Sequence, residues 1–279
     1  MSKRRLDWRR AATLLVLMAL AIPLFFLPLW VVIVTSFKPL GEAITPNIDL
    51  PRTWAALDNY GEVIETGRYV QSFFNSVVVS AFSIAVTLAV GAVGAWAFGR
   101  SRSRVMHALY LISIMGVILP PAVVPTMFLM RGMGIGGTHL ALILFLIGTR
   151  LGLVVFLITG FVRALPRELE ESAYVDGAGQ LRAFYHIVLP LLAPILVTAG
   201  IILLVINWND FFGAFFLLQG EERATLPLSL FRLPGSSIKQ TPWHLVFAHL
   251  VLVSLPLIVV YAAAQRRLVE GLTEGSLKG

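Results

Sequence analysis

Six stretches of this chain are apolar over about twenty residues or more, the length a helix needs to cross the hydrocarbon layer of a bilayer. Of the 279 residues, 57% are hydrophobic and only 13% are charged. A soluble domain clothes its surface with about a quarter of its residues charged, so this chain is solvated mainly by lipid. The expectation is an all-α integral membrane protein with six transmembrane helices. At most about eight crossings fit the length, which leaves no room for a separate soluble domain.

The first run covers 11–37 behind Lys3, Arg4, Arg5, Arg9 and Arg10. It is too long for the apolar part of a signal peptide, about 7–15 residues, and lacks a small-residue cleavage site, so it reads as a retained anchor kinked by Pro23 and Pro28. A polar loop at 38–71, with room for a short helix, leads to the second span at 73–98. There Ser83, Thr87, Gly91, Ala95 and Gly99 recur every four positions, which puts small side chains along one helix face for close packing. The third span, 106–130, holds Pro120, Pro121 and Pro125 and must break or bend. The fourth, fifth and sixth spans cover 139–162, 187–218 and 243–264. This divides the chain into an arm at 1–10, a six-span body at 11–264 and a tail at 265–279.

Basic residues give the orientation, because cytoplasmic segments retain Lys and Arg. With the N-terminus inside, inner segments hold 14 Lys and Arg and outer ones 7, so both termini are expected in the cytoplasm. Two charges, Arg150 and Asp210, fall within spans and should avoid lipid. Two readings stand: they neutralise each other, or they serve a solute pathway. Asn207, Trp208, Asn209 and Asp210 supply the amide, aromatic and carboxylate chemistry that binds sugars. Equally, Trp208 could anchor at the interface while the polar residues satisfy backbone at a helix break.

Between the fourth and fifth spans, Pro166 suits the first position of a helix, and Glu168, Glu170 and Glu171 in the opening turn complement its positive end. Gly177 and Gly179 offer the positive φ that ends it, and a second helical piece at 181–186 returns the chain to the bilayer. Local physics leaves open whether this is a solvated elbow or a knob that docks on a partner through the small pair Ser172 and Ala173.

The net charge of +7 does not point to nucleic acid, since that reading needs a basic face on a soluble module and here the bases flank apolar spans. Absence of cysteine removes disulfides and thiolate chemistry. The five histidines show no His-Glu-x-x-His spacing, and neither a Gly-x-Ser-x-Gly elbow nor a phosphate-wrapping Gly-x-x-x-x-Gly-Lys-Ser/Thr loop occurs. Neither an enzyme nor a bound cofactor or metal is expected, and any ATP must be hydrolysed elsewhere. His244 and His249 are five apart, off a common helix face, and read as incidental.

Glu171-Ser172-Ala173, then Asp176-Gly177, nine residues, and Ile187-Val188-Leu189-Pro190 resemble the EAA loop of inner-membrane permease subunits of ATP-binding-cassette importers. Ser172 in place of the first alanine is a small-for-small departure. Thr35-Ser36-Phe37-Lys38-Pro39, Asn75-Ser76, Trp208-Asn209-Asp210-Phe211 and the Gly271-Leu272-Thr273 tail are similar to carbohydrate importers of the maltose type. Arg150 is not part of that pattern.

The resemblance implies a bacterial inner-membrane, multi-pass subunit paired with a homologous permease, two ATPase subunits that use Mg-ATP, and an external sugar-binding protein. It implies that Glu171, Ser172, Ala173, Asp176 and Gly177 meet the ATPase, and that Gly271, Leu272, Thr273 and Gly275 reach between the ATPase subunits. For the tail, a frayed end is the other reading. An ion-driven secondary carrier is the alternative function. It would be expected to show internal repeats and more buried carboxylates than Asp210.

Overall fold

The computed structural model describes the backbone of residues 8–233 and 241–276 and the side chains of residues 12–233 and 241–263. Most of the basic N-terminal arm and the side chains of Gly271, Leu272, Thr273 and Gly275 lie outside the described residues. In chain order the helices are α1 (Trp8–Ser36), α2 (Leu40–Ala43), α3 (Ala56–Glu65), α4 (Tyr69–Arg100), α5 (Arg104–Ile118), α6 (Val123–Gly132), α7 (His139–Ala164) and α8 (Glu168–Val175). There follow α9 (Gln180–Ala183), a π-helical turn (Phe184–Val188), α10 (Leu189–Leu191), α11 (Ala193–Trp208), α12 (Phe212–Leu217), α13 (Leu226–Arg232) and α14 (Trp243–Ser276). No strand occurs among the described residues, only an isolated bridge between Gly137 and Leu218.

Among the described residues, four helical segments are long and apolar enough to cross a membrane: Ala12–Ser36, Tyr69–Arg100, His139–Ala164 and Trp243–Ala263. Two bent pairs bring the number up to six if each is one span. The first is α5 with α6, turned by 112° where Pro120 and Pro121 interrupt the helix. The second joins Gln180–Leu191 to Ala193–Trp208 at 70°, between Pro190 and Pro194. The expected break in the third run is therefore present. The fifth run is interrupted twice, at Leu192 and again after Trp208, where its sequence read as a single span. The loop at 38–71 carries two short helices, α2 and α3.

The chain forms two compact units, Met1–Tyr69 with Leu230–Leu255, and Val70–Ser229 with Pro256–Gly279. In the first, the Thr35-to-Pro39 segment is a fastening point. Asn59 Nδ2 donates to the carbonyls of Ser36 (2.8 Å) and Lys38 (2.9 Å), and the buried Lys38 ammonium donates to Asn47 Oδ1 at 2.6 Å. Val63, Leu245 and Ala248 form its apolar centre, and the buried His249 ring stands edge-on to Tyr69. Along α1, large apolar side chains from Leu14 to Trp30 are exposed, as on a helix whose solvent is lipid.

The second unit is organised by α4 and α7. Ser83, Thr87, Gly91, Ala95 and Gly99 are all buried, so the small-residue stripe on α4 is a packing face. A Cβ on Gly91 would stand 2.5 Å from Val154 Cγ1, and one on Gly99 2.6 Å from Val162 Cγ1, so only glycine permits this approach of α4 to α7. The same device joins α7 to α5, for a Cβ on Gly152 would collide with the carbonyl oxygen of Ser113. That oxygen is backbone and cannot move aside. Gly152→Ala is accordingly expected to destabilise the chain by about 1–3 kcal/mol, read as a lowered Tm in detergent. An unchanged Tm would show that the α5–α7 spacing is not set there.

Asn75 and Ser76 fasten the loop that precedes α13. Asn75 Nδ2 donates to the carbonyls of Glu222 and Ala224, both at 2.9 Å, and the Leu226 amide donates to Ser76 Oγ at 2.8 Å.

Candidate functional site

Two constellations in the second unit carry chemistry: the elbow around α8, and the polar break between α11 and α12. In the elbow, Glu168, Glu170 and Glu171 occupy the first turn of α8, where carboxylates complement the exposed amides and the dipole. Gly177 adopts φ +82°. The Ala178 amide donates to the Ala173 carbonyl (2.9 Å) and the Gly177 amide to that of Tyr174 (3.1 Å), the paired pattern that closes a helix through a left-handed residue. Gly179 does not share this role. Its φ of −72° is extended backbone leading into α9, which one left-handed residue leaves free to be ordinary.

The elbow has two faces. Glu171, Ser172, Asp176 and Gly177 are exposed, while Ala173 and Glu170 turn inward. Val175 is 88% exposed, and Leu169, Tyr174, Leu181 and Tyr185 also expose apolar surface. The inward Glu170 carboxylate receives the Arg100 Nε at 2.7 Å and the Trp96 Nε1 at 2.9 Å. Arg100 also donates from Nη1 to the Leu165 carbonyl at 3.1 Å. The pair is largely buried, with side chains 15% (Arg100) and 7% (Glu170) exposed. Burial, followed by the neighbouring Glu170 carboxylate, holds the Tyr174 hydroxyl above the ordinary tyrosine range, so this corner gains no further charge near neutral pH.

Sequence reasoning singled out Glu171 and passed over Glu170, Arg100 and Trp96. Three glutamates stand within four positions, and only the packing of α8 on α4 distinguishes the one that turns inward.

The quartet in the fifth run divides. Asn207 is buried and donates from Nδ2 to Ser83 Oγ at 3.0 Å, while its Oδ1 is buried without a partner. Trp208 is buried edge-on to Phe73. Asn209 is exposed, sits at the end of α11 and donates to the Val205 carbonyl at 2.8 Å. Asp210 accepts from Arg150 Nη2 at 3.3 Å, the side chains being 12% (Asp210) and 19% (Arg150) exposed. Its other oxygen, Oδ1, occupies the space that a side chain on Gly213 would need. The two charges thus meet, as the neutralising reading expected. Asn207 and Asp210 also bracket a helix break and join it to α4 and α7.

No group of three or more His, Cys, Asp or Glu suited to a metal ion occurs among the described residues. The Gly271, Leu272, Thr273 and Gly275 backbone continues α14, with side chains outside the described residues.

The fold and these sites define a multi-span helical membrane protein with a helical elbow between its fourth and fifth apolar runs. Residues 89–274 match the family described as binding-protein-dependent transport system inner membrane component, and the chain belongs to that family of transport permease subunits. It is 32% identical over 257 residues to the melibiose/raffinose/stachyose import permease protein MelC of Bacillus subtilis, covering 91% of this chain and 92% of the relative. It is 30% identical over 273 residues to the trehalose transport system permease protein SugB of Mycobacterium tuberculosis, covering 97% and 99%. A crystal structure of a bacterial ABC transporter involved in import of the acidic polysaccharide alginate contains a chain with the same fold. It gives a TM-score of 0.81 at 21% identity, covering 95% of this chain and 99% of that one.

Proposed function

We propose that this chain forms half of the translocation pathway of an ATP-driven importer for a carbohydrate delivered by an external sugar-binding protein. The body at 11–264 crosses the membrane six times with both termini in the cytoplasm, flanked by the arm at 1–10 and the tail at 265–279. A homologous permease supplies the other half, and two separate ATPase subunits hydrolyse Mg-ATP. Glu171, Ser172, Ala173, Asp176 and Gly177 form the elbow that docks on the ATPase, Ala173 by shaping its inner face. Gly271, Leu272, Thr273 and Gly275 extend toward the ATPase pair. Asn207, Trp208, Asn209 and Asp210 border the translocation path at the break in the fifth span.

The observation that carries this reading is the two-faced elbow of a chain in this family. An acidic, glycine-capped knob exposes Glu171, Gly177 and several apolar side chains, while its other face is pinned to the bundle. Exposed apolar surface around a charged centre is what a protein partner covers. The relatives named above, one for melibiose, raffinose and stachyose import and one of a trehalose transport system by their names, support a carbohydrate as solute.

Reconstitution of the chain with its companion permease, ATPase and binding protein is expected to give ATP-dependent accumulation of a labelled oligosaccharide in proteoliposomes. The chain alone, under an imposed sodium or proton gradient, is expected to accumulate none. Gradient-driven uptake by the lone chain would overturn the assignment in favour of a secondary carrier.

A further inference from the structure

We infer that the buried Arg100–Glu170 ion pair, locked by Trp96, is the joint through which movement of the elbow reaches α4 directly. This rests on the proposed coupling role of the elbow and adds what lies behind it.

One face of the last turns of α4 holds the elbow at three points. Arg100 Nη1 grips the Leu165 carbonyl at the entry, and Arg100 Nε with Trp96 Nε1 holds both carboxylate oxygens of Glu170 in α8. At the exit, the Trp96 ring lies 5.1 Å from the Phe184 ring in the π-helical turn. Residues four apart on a helix share a face, so Trp96 and Arg100 act as one unit. A planar guanidinium that serves an oxygen on each of two segments fixes their relative position as well as neutralising charge. Elbow and α4 therefore move together, independently of the covalent path through α7 and α11.

The same helix reaches the polar break. Ser83 accepts the Asn207 amide about 20 Å along α4 from Trp96, and Ser83, Thr87, Gly91 and Ala95 between them are buried and closely packed. A continuous helix is stiff over that length, so displacement at Glu170 is delivered to the end of α11. Arg100 and Glu170 are positioning residues, acting on transport through α4.

The test uses the assembled, reconstituted importer and measures ATP hydrolysis and oligosaccharide uptake in the same proteoliposomes. Arg100→Lys keeps the charge but loses the rigid fork that spans both segments, and Glu170→Gln keeps the shape but loses the charge. Each is expected to retain ATP hydrolysis while raising ATP consumed per solute about tenfold or more, on the scale of coupled buried pairs. Loss of both rates in proportion would mean a merely structural role and would overturn the joint. A parental ratio in both variants would overturn it as well.

Because the chain has no cysteine, a second measurement is available if these variants assemble poorly. Arg100→Cys with Glu170→Cys, bridged by a short bifunctional thiol reagent, is expected to keep the parental ratio, since the joint stays closed through the cycle. Arrest by the bridge would overturn the proposal. Glu171→Lys runs alongside: parental uptake there would defeat the coupling role of the elbow itself. Abolished uptake there, with parental ratios at Arg100 and Glu170, would defeat only the joint.

Discussion

Gly177→Asp is expected to abolish ATP-driven uptake while the chain remains folded and membrane-inserted. Gly177 sits at φ +82° in the closing turn of α8, and aspartate is among the few residues that visit this conformation at modest cost. A Cβ there would meet nothing within 4 Å in this chain, so beyond that backbone cost the added side chain acts on what docks against it. Glu171→Lys attacks the same face. Glu171 is exposed and makes no ion pair among the described residues, so charge reversal leaves the fold intact and changes only the surface offered to a partner. Both variants should lose uptake by about a hundredfold, the loss expected when a central contact of an interface is removed. Membrane fractionation and labelled-oligosaccharide uptake measure the two halves of the expectation. Parental uptake by either variant, at parental membrane abundance, would remove the elbow from the coupling path.

Arg150→Met or Asp210→Leu alone is expected to destabilise the chain by about 3–5 kcal/mol, because each strands a charge in a low-dielectric interior. The two side chains meet at 3.3 Å from positions in α7 and in the break after α11. Arg150→Met with Asp210→Leu in one chain should recover most of the loss, since replacing a buried pair by apolar groups is close to neutral. Unfolding of the purified chain in mixed micelles reads both terms. Singles within 1 kcal/mol of the parent, or a double no better than the worse single, would contradict the pairing. The stable double then separates the two remaining roles. If it transports at the parental rate, the pair is a brace for the helix break. If it is folded but idle, the pair belongs to the solute path.

Much of the architecture was legible because helices that cross lipid are chosen by local rules. Apolar length marks which segments are long enough to span, Pro120 and Pro121 remove the hydrogen bonds that would keep the third run straight, and acidic residues followed by Gly177 start and end α8. The stripe from Ser83 to Gly99 was readable from a four-residue period, and its role as a packing face followed from side-chain size. Gly179 was misread as a second left-handed glycine. Composition marks a residue that could adopt positive φ, whereas the hydrogen bonds around it decide which residue does.

The sequence by itself determined the lipid-solvated helical class, the approximate spans, the place of the elbow and the family resemblance, since each depends on residues close together in the chain. Only the tertiary structure decided that Glu170 turns inward to Arg100, that Arg150 finds Asp210, and that Asn207 reaches Ser83. These partners are separated by 70, 60 and 124 positions. No local periodicity records such pairings. They arise when small residues let helices approach closely enough that every buried polar group must take the partner packing brings to it.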